Sequence, residues 1–284
     1  MGVEGEILYN GKSGPTVKVE AKVVVLSAGA INTPQLLLKN ELCNSSGQVG
    51  KNLSLQPLAP VIAQFDAELH SYQGIPQSYY CDEFKDFSKG GFIIEGVFAH
   101  PGTMSAVYPS LGKEYMDFAG NYAKQAATIV MVQDNSSGKV TLSKNGPPVI
   151  DYNLSKKDKK LAIEGMKKTV QIFLKAGAKN VFITHVKPTL IEDPKDIKVL
   201  DERGMDLSEL VLFSAHPQGS CRMGGDPSIS EVNSNCEFHD VKNLFICDAS
   251  VFPTSVGVNP QISVMAIATH TAAYIQKNAD KYFS

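Results

Sequence analysis

The 284-residue chain carries 27 Lys and Arg against 29 Asp and Glu, a formal charge of -2, with 43% hydrophobic and 20% charged residues. This near-neutral balance excludes the basic surface of a nucleic-acid binder or of a protein held on an acidic membrane, and no apolar run approaches the roughly 20 residues of a membrane-crossing helix. Length and composition predict an ordinary globular protein with one or two cores, and five cysteines at irregular spacing predict reduced thiols and a cytoplasmic location.

In chain order, Glu6–Tyr9 and Thr16–Glu20 flank the turn Asn10–Pro15 and predict a hairpin. Val23–Leu26 has no polar alternation and reads as a strand buried on both faces. Gly29-Ala30 follows as a turn that lets backbone approach a ligand closely. Thr33-Pro34 reads as a helix start, with threonine as cap and proline at the first helical position. From 53 to 208 the pattern changes. Pro60–Phe65, Gln77–Tyr80, Phe92–Phe98 and Ala127–Val132 are β-branched or aromatic runs separated by Gly, Pro, Ser and Asn clusters, which predict an antiparallel sheet. Asp134–Val140 is a turn into the strand Val140–Leu142, and Gly146-Pro147-Pro148 ends that excursion. Ser155 and Asp158 form a capping-box-like start for a helix whose stripe is Ile163, Met166, Val170 and Phe173. Pro188–Gly204, charged and broken by proline and glycine, reads as a surface excursion over a substrate channel.

Chemistry-bearing residues concentrate in two later stretches. The first, His216-Pro217-Gln218-Gly219-Ser220-Cys221-Arg222-Met223-Gly224, offers an imidazole in a turn, a group that titrates near working pH and can accept a proton. The second begins with the apolar run Asn243–Cys247, a strand ending at Asp248, where α/β proteins place ligand contacts. It continues to Asn259-Pro260, read as N-cap and first helical residue of a helix through Met265, Ala268, Ala272 and Ile275. Unpaired N–H groups and partial positive charge at that helix start favour an anion, or a group becoming negative, against Asn259, Pro260 and Gln261. His70, His100, His185, His239 and His270 read as structural. Cys236-x2-His239 lacks the paired spacing of structural zinc, so no metal is expected.

The pairing of H-P-Q-G-S-C-R-M-G with the stretch from Asp248-Ala249-Ser250 to Gly257-Val258-Asn259-Pro260-Gln261, followed by an alanine-rich helix, resembles the carboxyl-terminal part of the glucose-methanol-choline (GMC) flavin oxidoreductases. Ala21–Leu38 and Val49–Leu53 resemble the same family's earlier signatures, and asparagine at position 259 resembles its cholesterol-oxidase and long-chain-alcohol branch. The resemblance implies FAD as cofactor and a small-molecule alcohol as substrate. It implies His216 as the base that takes the hydroxyl proton while hydride goes to flavin N5, with Asn259 orienting the oxygen. Gly29, Ala30, Asp248, Ala249, Asn259, Pro260 and Gln261 would lie against the cofactor. The fold implied is α/β plus α+β. Residues 1–52 and 209–284 would form a partial FAD-binding Rossmann-like domain, and 53–208 an inserted antiparallel-sheet substrate domain. No G-x-G-x-x-G turn occurs. The expectation is therefore a carboxyl-terminal half whose apolar surface is covered by a separate amino-terminal FAD-binding polypeptide; the alternative is a catalytically silent fragment that binds substrate or a partner.

Overall fold

A computed structural model describes residues 1–283 apart from 76, 87, 89, 98, 99, 145, 146 and 205–208. Phe98, Gly146 and Ser208, which end segments expected from the sequence, lie outside the described residues. In chain order the elements are β1 (Gly2–Tyr9), β2 (Lys12–Glu20), β3 (Val24–Leu26), α1 (Gly29–Lys39), β4 (Lys51–Leu53), β5 (Leu58–Gln64), β6 (Tyr80–Cys81) and β7 (Phe92–Val97). Then come α2 (Pro101–Val107), α3 (Gly112–Gly120), β8 (Gln125–Val132), β9 (Gly138–Leu142), β10 (Pro148–Asp151), α4 (Lys156–Lys175), β11 (Asn180–Ile183), β12 (Thr189–Ile191) and α5 (Val199–Arg203). The chain ends with β13 (Leu244–Ile246), α6 (Gln261–Lys277) and α7 (Ala279–Phe283). These form two compact units, Met1–Ser54 with Ser137–Asn153 and His216–Ser284, and Leu55–Ser136 with Leu154–Ala215.

The first unit is built on β3 and β13, which pair in parallel with Val24 opposite Leu244 and Leu26 opposite Ile246. Val24, Leu37, Val49, Phe238, Leu244 and Ile246 form its core, joined by the thiols of Cys221 and Cys236. The expectation of a β3 strand buried on both faces is corrected: Val25 is 46% exposed, because side chains alternate along a strand and this two-stranded sheet packs on the Val24 side alone. The helix start at Thr33-Pro34 is also corrected. Helix α1 begins at Gly29, whose φ of 81° is the left-handed turn that glycine tolerates. Pro34 lies inside it and cannot donate to the Ala30 carbonyl; Ser220 Oγ donates there instead, at 2.6 Å. The hairpin of β1 and β2 forms as expected, and Val3, Val17 and Val19 on it are exposed. Met1, Val3, Val24, Leu36, Leu42 and Leu244 line a cavity of about 520 Å³. Strand β9 pairs with both β10 and β4 and packs on α1, so this hairpin, read from the sequence as part of the 53–208 insertion, clusters with the first unit. Pro148 opens β10 rather than ending the excursion, a position an edge strand tolerates.

The second unit is an antiparallel sheet in the order β12-β11-β5-β8-β7-β6. Its central β5 is buried from Leu58 to Ala63 without alternation, since both faces are covered. Helix α4 lies on the Val130 face, capped by Ser155, whose hydroxyl accepts the Asp158 N–H at 3.1 Å. The Asp158 carboxylate is buried and in turn accepts from Ser136 Oγ at 2.5 Å, Ser155 Oγ at 2.8 Å and the Asn135 N–H at 3.0 Å. On the opposite face Ile62, Met104, Tyr108, Phe118 and Ala127 form a second core, with the Tyr108 and Phe118 rings stacked 3.8 Å apart. Two expectations are corrected here. Of Gln77–Tyr80 only Tyr80 enters a strand, β6. Pro188–Gly204, expected as a surface excursion, supplies β12 and α5, and burial of Ile191, Ile197 and Leu200 holds it to the unit.

Gly165 marks the closest approach of α4 to the sheet, because a Cβ there would run into the Val130 and Phe92 side chains. Gly165→Ala is expected to lower stability by about 1–3 kcal/mol through overpacking, despite alanine's better helix propensity. The urea midpoint measures this, and an unchanged midpoint would contradict the close α4–sheet contact.

Candidate active site

The end of β13 and the start of α1 meet at one carboxylate. Asp248 is 6% exposed. Its Oδ2 accepts the Gly29 N–H at 2.9 Å and the Thr33 hydroxyl at 2.6 Å, while Oδ1 accepts the Ser250 N–H at 2.8 Å. Thr33 Oγ1 also accepts the Ala28 N–H at 3.1 Å. These bonds satisfy donors that a helix start leaves unpaired and bring Gly29, Ala30, Asp248 and Ala249 together at the carboxyl ends of two parallel strands. Both Asp248 oxygens accept hydrogen bonds within this corner. Open space lies beside Gly29, where a Cβ would meet nothing within 4 Å.

The histidine stretch is laid against the same corner by backbone bonds. The N–H groups of Gly219, Cys221 and Met223 donate to the carbonyls of Ala249, Ser250 and Val251 at 3.0, 2.8 and 2.8 Å. Gln218 and Ser54 exchange backbone bonds of 2.9 Å. Glycine is required at 219, where φ is 82° and a Cβ would lie 2.7 Å from the Asn52 carbonyl oxygen. Arg222 supports the turn through Nε to the Ile229 carbonyl at 2.9 Å.

His216 stands half-buried at the head of this stretch. Burial pushes its imidazole below the ordinary histidine value, because desolvation disfavours the cation. The neutral ring present at neutral pH is the form that can take a proton. Asn259 is exposed, and the cap is displaced by one residue from the expectation: Pro260 is the N-cap, its carbonyl accepting the Val264 N–H at 2.9 Å. No side chain caps α6, and Gln261 begins the helix in an exposed position. Two of the other histidines have structural partners: His185 Nδ1 meets Thr189 Oγ1 at 2.8 Å, and His239 Nε2 meets the Gly224 carbonyl at 3.1 Å.

Three further residues support this corner: Thr33, expected as a helix cap, and Ser220 and Gln218, to which the sequence analysis assigns no role of their own. A proline five residues past Gly29 was the available signal, since it obliges another donor to serve the Ala30 carbonyl.

Models of the GMC oxidoreductase family match residues 1–58 and 134–268. The chain is 30% identical over 269 residues to the long-chain-alcohol oxidase FAO4A of Arabidopsis thaliana, covering 88% of this chain and 36% of that protein. It is 31% identical over 291 residues to long-chain-alcohol oxidase FAO3 of the same plant, covering 95% and 38%. It thus spans little more than a third of the length of these relatives. Among solved structures, pyridoxine 4-oxidase from Mesorbium loti superposes with a TM-score of 0.62 at 18% identity, covering 92% of this chain and 53% of that one. A formate oxidase variant of Aspergillus oryzae gives 0.64 at 17% identity, covering 95% and 57%. With two signatures of the family folded onto one corner of the first unit and the family's models matching both ends of the chain, this protein belongs to the GMC oxidoreductases.

Proposed function

We propose that this chain is the catalytic part of an FAD-dependent alcohol oxidoreductase acting on CH–OH donors, with an apolar alcohol as substrate. The observation that carries the reading is the neutral, half-buried His216 at the head of a backbone ladder that ends on the Asp248 corner. A base for a hydroxyl proton has to be unprotonated at working pH and held in place, and His216 meets both requirements. Similarity to long-chain-alcohol oxidases supports the substrate class.

FAD fits the residues present. Open space beside Gly29, the uncapped start of α6 and the exposed Asn259-Pro260-Gln261 step suit a planar ring that gains negative charge. Gly29, Ala30, Ala249, Asn259, Pro260 and Gln261 would hold it, with Asp248 fixing the backbone around them. When bound, FAD supplies the two-electron acceptor. This chain's own part is to take the hydroxyl proton on His216, to donate from the Asn259 amide to the oxygen that becomes anionic, and to keep both groups fixed. The partial sheet of β3 and β13 is read as part of a Rossmann-like layer. Val25, the α6 residues Ile262 and Met265 and the cavity under β1 leave apolar surface uncovered. The reading assigns that surface to a separate amino-terminal polypeptide bearing the G-x-G-x-x-G turn.

In the flavin-loaded protein, with any amino-terminal partner that loading requires, His216→Ala should lower kcat about 10²- to 10⁴-fold while flavin absorbance is retained. Full turnover by that variant would rule out His216 as the base. The wild-type rate should fall on the acid side as the imidazole becomes protonated, with a midpoint below the ordinary histidine value of about 6.5; a midpoint above it would contradict the burial argument. Asn259→Ala should cost about 10²- to 10³-fold in kcat, as expected for loss of one donor to a developing oxyanion. Stopped-flow reduction under anaerobic conditions measures both variants.

A further inference from the structure

We infer that Gln218 is a positioning residue that holds His216 in register with the loop carrying Asn259, an inference that rests on the function proposed above. Gln218 has no exposed surface. Its Nε2 donates to the His216 carbonyl at 3.1 Å, and its Oε1 accepts the Val256 N–H at 3.1 Å. The orientation of the amide is fixed by these partners, because a carbonyl can only accept and a backbone N–H can only donate. One planar group therefore joins two segments, 216–218 and the loop through Val256. The first segment holds the base, two residues before Gln218. The second reaches Asn259, three residues beyond Val256.

Gln218 is itself held immobile. Its own N–H and C=O are both bonded to Ser54 at 2.9 Å, and Gly219 beside it is wedged against the Asn52 carbonyl. A short buried amide on a pinned backbone transmits position with little slack. No shorter side chain could span both bonds, and leucine, one methylene shorter and without polar atoms, would leave the Val256 N–H and the His216 carbonyl without these partners. Glutamate is the informative replacement. As a carboxylate it accepts from Val256 but cannot donate to His216; protonated, it offers one donor and one acceptor and restores the bridge.

The experiment compares wild type, Gln218→Leu and Gln218→Glu. On the chain alone, amide hydrogen exchange at Val256 and NMR titration of the His216 imidazole are read. On the flavin-loaded protein, kcat, KM and the pH profile are read. The expected results are faster Val256 exchange in Gln218→Leu, and a fall in its kcat of about 10²-fold with KM little changed, the scale of an ångström-level misplacement. Relative to wild type at the same pH, Gln218→Glu should be least impaired at low pH and fall further behind as pH rises through its carboxyl pKa, a divergence that a bridge-independent defect would not show, and its charge should raise the His216 pKa. Wild-type kcat in Gln218→Leu, unaltered Val256 exchange, or a Gln218→Glu profile that parallels wild type would each overturn the inference. If Gln218→Leu does not fold, the Gln218→Glu profile decides alone. His216→Ala separates the two readings: full turnover in it defeats the proposed base, whereas Val256 exchange and the His216 titration judge Gln218 without turnover.

Discussion

The bonds that Gly29 and Thr33 donate to Asp248 join segments 219 and 215 positions apart in the chain, and the rest of the first unit depends on that joint. Parallel strands cannot be connected by a tight turn, so nothing local brings β3 beside β13. Apolar burial of Val24, Leu244 and Ile246 draws them together without specifying how their ends align. Alignment comes from the buried carboxylate, which gives one strand end a definite partner in the other. Hydrogen bonds of this kind contribute about 1–3 kcal/mol each, and leaving the donors unpaired in the interior costs a similar amount.

From this joint the active-site corner is assembled by backbone rather than by side chains. Residues 219–223 follow the carbonyls of 249–251, and Ser220 reaches across to the Ala30 carbonyl that Pro34 leaves unserved. The proline in α1 is therefore an exchange: one intrahelical bond is given up, and a bond from the histidine stretch to the helix replaces it. The second unit uses the same economy at Asp158, where one carboxylate serves the cap of α4 and the turn at Asn135-Ser136.

Much of this was legible in the sequence because the signals were local. The β1–β2 hairpin, the β-branched runs of the second sheet, the Ser155 cap and the stripe on α4 each rest on patterns within ten or twenty residues. The His216 and Asp248 stretches were legible as signatures. What could not be read was determined by distant partners. Val25 looks like an interior strand residue until the sheet proves two strands wide. Thr33-Pro34 looks like a helix start until Asp248, far along the chain, accepts the Gly29 N–H and fixes the start there. Charge and proline make 188–204 read as a surface excursion, although the apolar residues Ile191, Ile197 and Leu200 that bury it lie within the segment. The role of Gln218 is carried by two side-chain bonds to neighbours on opposite sides, and no spacing in the sequence announces such a bridge.

The separation between Gly29 and Asp248 has a consequence for synthesis of the chain. When residue 215 has emerged from the ribosome, every strand of the antiparallel sheet is available, together with the helix that covers it. The segment containing β3 and α1 is made before that sheet, yet it has no partner until β13 follows. The second unit can therefore close while the first is still waiting, and Val24 and Leu37 remain exposed until residues 244–246 have been made. The order in which these segments are made is thus the reverse of the order in which they can be buried, and exposed apolar side chains in that interval favour misassembly.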